Sequence, residues 1–215
     1  MLDLAARKRR ARHVVRILAE TYPDSRCSLD HDGPFQLLIA TILSAQCTDA
    51  RVNMVTPDLF AAYPSPAAFA DAPLEDIEEA IRTTGFFRQK AKSIRSCCID
   101  LVEKHGGELP TTMDELTALA GVGRKTANVV LGVALGEPDG VVVDTHVGRI
   151  ATKLGLSDHG PKEAVKIERD LNACVPRKDW VSLGHRLIDH GRAVCKARKP
   201  DCDACVLYRH CETRA

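Results

Sequence analysis

Four cysteines crowd together near the C-terminus, Cys195, Cys202, Cys205 and Cys211, in the spacing C-x6-C-x2-C-x5-C. The segment that carries them has too few apolar residues to build a core alone, so a bound metal is needed to hold it. Four sulfur ligands at tetrahedral geometry suit either zinc or an iron-sulfur cluster, and coordination chemistry alone does not choose between them. The gaps of six and five residues are unlike the paired C-x2-C knuckles of zinc ribbons, which tips the spacing slightly toward iron and sulfur. The chain has nine cysteines, an odd number unevenly distributed. That argues against a secreted disulfide framework and for thiols kept reduced. Cys27, Cys47, Cys97, Cys98 and Cys174 fall within or beside helical patterns and read as buried free thiols.

The rest of the chain is patterned for helices. Aromatic residues make up only 4% of the 215 residues while Ala, Leu and Val are abundant, and strands favour aromatic and β-branched residues. At 45% hydrophobic the sequence can supply one large core or two small ones. Helical spacing is read over residues 4–20, from Gly33-Pro34 onward, and at about 50–62, 74–83, 87–105, 113–119, 145–154, 161–174 and 178–192. In the second of these the stripe Phe35, Leu38, Ile39, Ile42 leads to Gln46, polar where a core residue is due. Gly136-Glu137-Pro138-Asp139-Gly140 is the clearest break and marks a domain hinge; Val141-Val142-Val143 after it looks extended.

A net charge of +1 gives no global case for a nucleic-acid partner. Phosphate contacts must come from local clusters such as Arg7-Lys8-Arg9-Arg10-Arg12, Arg88-Lys90-Lys92-Arg95 and Lys196-Arg198-Lys199, each of which also reads as an ordinary solvated surface. A metal clip at the cysteines would fix Lys196, Arg198 and Lys199 in one small loop. The N-terminus is basic but lacks an apolar signal region, and no apolar stretch approaches a membrane span. A cytosolic location, associated with the nucleoid, is the expectation.

Gly121 and Gly123, in Leu119-Ala120-Gly121-Val122-Gly123-Arg124-Lys125-Thr126-Ala127, allow a tight turn between two helices, with amides at the start of the second pointing toward an anion. This fits a helix-hairpin-helix that grips DNA phosphates without reading sequence. Lys125 falls in the first turn of that second helix, where the macrodipole disfavours a cation and should lower its pKa. A neutral amine there is a nucleophile able to form a Schiff base. Further on, Val141-Val142-Val143-Asp144-Thr145-His146-Val147-Gly148-Arg149 sets Asp144 at a helix start, a good N-cap that can also stabilise positive charge developing on a sugar. His146 reads as a structural hydrogen-bonding residue.

Together LLIATILSAQCTDARVN, LAGVGRKTANVVL, VVVDTHVGRI and the cysteine spacing resemble the endonuclease III family of DNA glycosylases over essentially the whole chain. The resemblance implies an all-α fold of two helical domains flanking a DNA-binding cleft. One is a six-helix domain with the helix-hairpin-helix, residues 26–138. The other, residues 1–25 and 139–215, carries a [4Fe-4S] cluster on Cys195, Cys202, Cys205 and Cys211. It implies Lys125 as the nucleophile that expels a damaged pyrimidine and then β-eliminates, and Asp144 as its companion carboxylate. The target nucleotide must leave the duplex and its place must be filled. Gln46 matches the family's plug residue, and Phe86 stands at the position of the wedge on the opposite strand.

Two departures stand out: Ala120 precedes Gly121 where the family usually has proline, and Phe86 replaces a familiar leucine. The related adenine glycosylases normally lack the lysine and carry an extra C-terminal domain, whereas this sequence stops four residues after Cys211. The expected activity is that of a monomeric base-excision enzyme, a glycosylase and abasic-site lyase for oxidised pyrimidines in duplex DNA. The alternatives are a glycosylase for mismatched or alkylated bases and a non-catalytic DNA-binding module.

Overall fold

The computed structural model describes residues 2–213, and among them every regular element is helical. The chain divides into two compact units, Cys27–Asp139 and Met1–Arg26 with Gly140–Ala215. Each has its own apolar core.

The first helix, α1 (Leu4–Thr21), is capped by Asp3, whose carboxylate accepts the Ala6 amide at 2.7 Å. It stops before Tyr22-Pro23, because a proline disfavours helical backbone in the residue before it. Its N-terminal basic run is not uniformly solvated. Arg7 is buried and pairs with Asp158 and Asp170, while Arg10 bonds the Leu154 carbonyl and Glu212.

Within Cys27–Asp139 the chain runs through α2 (Pro34–Leu43), α3 (Asp49–Ala62), α4 (Pro66–Asp71), α5 (Leu74–Ala80), α6 (Phe87–His105), α7 (Met113–Ala118) and α8 (Arg124–Val129). Helix α2 is buried at every residue from Leu37 to Leu43, and α3, α6 and α8 pack against it. The stripe seen in the sequence is therefore only part of a helix apolar on all sides, as a central helix must be. The periodicity does not reveal α4. It has six residues under a Ser65 cap, too short to show a repeat, and is anchored by one buried ring, Phe69, which meets Phe35 and Tyr63. Helix α5 ends at Ala80, and a 3-10 turn, Arg82–Thr84, leads to α6.

The other unit adds α9 (Thr145–Lys153), α10 (Ala164–Cys174) and α11 (Trp180–Ala193). Ala11, Val14 and Leu18 of α1 join Val147, Ile150, Ile167, Leu171, Leu183 and Leu187 in its core. Val141–Val143 forms no strand. Val141 and Val143 are buried, and the Val141 amide bonds the Asn172 side chain at 2.9 Å rather than a neighbouring strand. Three valines here mark burial rather than sheet. Helix α10 starts three residues later than its pattern, because Glu163 folds back to accept the Gly160 amide at 2.8 Å. No helix among the described residues is long and apolar enough to cross a membrane.

Candidate active site and cysteine cluster

The glycine hairpin joins α7 to α8. Gly121 has φ +78°, and a Cβ on it would lie 2.8 Å from the Ser93 Cβ, so both its conformation and its packing against α6 require glycine. Gly123 begins α8 and, being glycine, supplies no side-chain cap of its own. Lys125 stands in the first turn of α8, exposed. A π-helical stretch, Val130–Ala134, continues α8 into the core.

Asp144 caps α9. One oxygen, Oδ1, accepts the amides of His146 at 2.9 Å and Val147 at 2.8 Å, and Oδ2 stays outside the cap. The carboxylate is half-buried. His146 packs against Gly191 of α11, where a Cβ would come within 2.5 Å of its Nδ1. Burial lowers the His146 pKa, Arg149 and Arg192 add to that, and Asp144 opposes it. Arg149, one turn along α9, donates to the Cys195 carbonyl at 2.7 Å and so ties the cysteine segment to the helix that Asp144 caps.

Gln46 does not continue the α2 stripe. The helix ends at Leu43, and Gln46 lies in the following turn, exposed, with φ +53°. Phe86 is 66% exposed at the start of α6, with φ +48°. Among the described residues these two are the non-glycine positions with positive φ. Such backbone costs on the order of 1–3 kcal/mol each and persists where the surroundings enforce it. Beneath both turns lies Lys90, buried, its Nζ donating to the carbonyls of Leu43 and Thr84 at 2.8 Å each. Burial lowers the Lys90 pKa, an effect opposed by the Cys47 thiol nearby.

The four tail cysteines are each half-buried in irregular backbone after α11. The Cys195 amide bonds the His190 carbonyl at 2.8 Å, and the Cys205 Sγ lies 3.6 Å from the His190 Nε2. Burial first, then the charges of Cys195, Cys211 and Cys202, push the Cys205 thiol up, opposed by its backbone hydrogen bond at Leu207. Among the described residues, no three His, Cys, Asp or Glu side chains are grouped closely enough to grip a single ion. Lys196, Arg198 and Lys199 are all exposed on a loop whose ends both return to the Val194 carbonyl, through the amides of Lys196 and Asp201 at 2.9 Å.

Residues 39–177 match the HhH-GPD superfamily of base excision DNA repair proteins. The chain is 51% identical to a Synechocystis endonuclease III over 97% of its own length and 94% of the relative's. The chain belongs to the endonuclease III family. It is 41% identical to the Escherichia coli endonuclease III over 91% of each chain. A solved non-covalent endonuclease III–DNA complex superposes with a TM-score of 0.89 at 43% identity, covering 99% of this chain and 96% of that one. A trapped covalent endonuclease III–DNA intermediate gives the same TM-score and identity. A thermostable thymine-DNA glycosylase at 21% identity and a TM-score of 0.83 shares the fold.

Sequence reasoning about this family member missed Lys90 and Arg149. Lys90 was one of a basic run, Arg88-Lys90-Lys92-Arg95, that reads as one solvated face. Arg88 and Lys92 are exposed, but Arg95 donates to the Ala72 carbonyl and Lys90 is buried. The missed signal is register. Lys90 precedes Ile94, Cys97 and Leu101 at helical spacing, on the stripe that α6 buries.

Proposed function

We propose that the chain removes oxidised pyrimidines from duplex DNA as a bifunctional glycosylase and abasic-site lyase, with Lys125 as nucleophile. The observation that carries this reading is an exposed primary amine in the first turn of α8, within the glycine hairpin of an endonuclease III family member. In neutral form the amine bonds the sugar C1′ as the bond from C1′ to the damaged base breaks, and the base leaves with the electron pair. Opening of the sugar gives a Schiff base. Loss of a C2′ proton then expels the 3′ phosphate and cuts the strand, and water releases the lysine. The Asp144 Oδ2, outside the cap, takes the amine proton or stabilises the positive charge developing on the sugar.

The remaining assignments follow the same reading. Gln46 fills the place of the extruded nucleotide and Phe86 enters beside the opposite strand, each on a turn whose strained backbone fits a functional role. The amides around Gly121 and Gly123, and the cations Lys196, Arg198 and Lys199, hold phosphates. Cys195, Cys202, Cys205 and Cys211 hold a [4Fe-4S] cluster, which fixes the tail when bound. The donor set fits it. Around one tetrahedral zinc at ~2.3 Å the four sulfurs would have to close up tightly, whereas a four-iron cluster binds each thiolate through a different iron. An iron-free, zinc-loaded protein would overturn this assignment without touching Lys125. An enzyme acting on chromosomal DNA would operate in the cytoplasm, at the nucleoid.

Borohydride trapping on duplex DNA with one abasic site tests the chemistry. Lys125→Ala should fold normally, since alanine suits an exposed helical position, and should lose the covalent complex. Asp144→Asn keeps a good N-cap and removes only the charge, so trapping should slow by about a hundredfold while thermal stability holds. No complex with folded, DNA-binding wild type would leave a monofunctional glycosylase or a binding module. The aromatic Phe86 favours one second reading, a shifted lesion range, which a panel of oxidised, mismatched and alkylated substrates would reveal.

A further inference from the structure

Lys90 is an expensive residue to bury. It is buried beside the end of α2, its ammonium bonded to two main-chain carbonyls and, among the described residues, to no carboxylate. A methionine would fill the same space, so what the ammonium adds is the pair of bonds. Both carbonyls belong to places where the chain leaves helical backbone. At the end of α2 the Cys47 amide bonds Ser44 rather than Leu43, at 3.1 Å, so no amide four residues on closes the Leu43 carbonyl, and Lys90 takes it. Thr84 ends the 3-10 turn before α6. Three residues after Leu43 comes Gln46, and two after Thr84 comes Phe86, the two left-handed positions. The Lys90 amide also bonds the Phe86 carbonyl at 3.0 Å.

We propose that Lys90 is a positioning residue for base extrusion: one buried Nζ joins the turn of Gln46 to the turn of Phe86, so that both side chains enter the duplex as a pair at fixed separation. The proposal rests on the reading of Gln46 and Phe86 as the residues that penetrate DNA. Lysine suits the task because a single atom donates to both carbonyls, and a change at either turn is transmitted to the other. Lys90 itself touches no substrate.

The test compares two substrates. In one, the damaged base is fully paired and must be extruded; in the other, an abasic site lies in an unpaired bulge and needs no extrusion. Lys90→Met should slow single-turnover excision of the paired lesion by about a hundredfold, the effect of a small misplacement of positioned groups, and leave trapping at the bulged site within about twofold of wild type. Gln46→Ala and Phe86→Ala should likewise lose more on the paired lesion than at the bulge, and combining either with Lys90→Met should add little. Equal loss on both substrates would mean a structural role, and no loss on either would mean none; each overturns the proposal. Selective loss in Gln46→Ala and Phe86→Ala but not in Lys90→Met overturns it alone. If those two variants show no selectivity in a wild type that traps normally, the reading of the penetrating pair fails and the proposal with it. Should Lys90→Met not fold, Lys90→Arg, which keeps charge and donors but not the single bridging atom, is read in the same assays.

Discussion

Two groups of cysteines in this chain share a chemistry and almost nothing else. Cys97 and Cys98 sit side by side on α6, fully buried against the core around α2. Cys195, Cys202, Cys205 and Cys211 sit half-buried in irregular backbone, where Leu207 is the buried apolar side chain among 195–213. In the first group the thiol is a small hydrophobe, and burial drives its pKa up. In the second the thiols are half-buried, and the backbone around them is held by turns, by the Arg149 bond to the Cys195 carbonyl and by the Glu212 amide on the Lys153 carbonyl at 2.8 Å. The difference teaches that surroundings, not residue type, decide whether a cysteine is part of a core or is left accessible for binding.

The largest expected effect comes from removing ligands. Cys202→Ser with Cys205→Ser should abolish iron binding and the broad visible absorption of the cluster, and should make the tail the first site of limited proteolysis. A bound structural metal supplies on the order of 10 kcal/mol to a segment with no core of its own, and nothing else here replaces it. Cys97→Ala with Cys98→Ala should keep full iron content. Full iron in the double serine variant, or lost iron in the double alanine variant, would break the comparison.

The same contrast governs what could be read from the sequence. Four tail thiols at short spacing with few apolar neighbours point to a metal without choosing between zinc and iron, whereas the long helices were legible because α1, α6 and α11 repeat their apolar residues over several turns. Short elements were not. Phe69 anchors α4 without a repeat, and the three valines before Asp144 read as extended chain when they are core anchors. Within the candidate site, the hairpin and the Asp144 cap follow from glycine and capping chemistry, which are local. Lys90 was invisible for the opposite reason: its role depends on two carbonyls, one of them 47 residues away in sequence, that only the packed fold brings to one atom. Gln46 was noticed for the wrong reason, since a left-handed turn rather than a helical stripe presents it.

A smaller effect separates the two groups by reactivity. After iron is chelated from the folded protein, a thiol alkylating reagent should modify the four tail cysteines promptly, while Cys97 and Cys98 stay protected until global unfolding. Accessibility and thiolate content act together here: the core thiols are enclosed, and burial keeps them protonated. Mass spectrometry of peptides would read the order directly. Labelling of Cys97 or Cys98 at the tail's rate would mean that α6 opens locally.

The smallest effect is a slope of stability against pH. Burial, helped by Asp100, pushes the Cys97 thiol up to about 12, and burial with Cys97 beside it pushes Cys98 further in the same direction. In the unfolded chain both titrate near ~8.5. Between these values the folded state holds protons that the unfolded state releases, so stability is flat below about pH 7.5 and falls as pH rises through the unfolded value. Each thiol loses about 1.4 kcal/mol of stability by pH 9.5, about 3 kcal/mol for the pair. Removing both side chains costs packing instead, about 1 kcal/mol per position at any pH. Denaturant unfolding should therefore find wild type more stable than Cys97→Ala with Cys98→Ala by about 2 kcal/mol at pH 7, with the two curves meeting at about pH 9 and wild type the less stable by about 1 kcal/mol at pH 9.5. Cys174, also raised by burial, is common to both proteins and cancels from the difference. Parallel curves would show that these thiols titrate alike in the folded and unfolded chain, and the distinction between core and ligand cysteines would then rest on the tail alone.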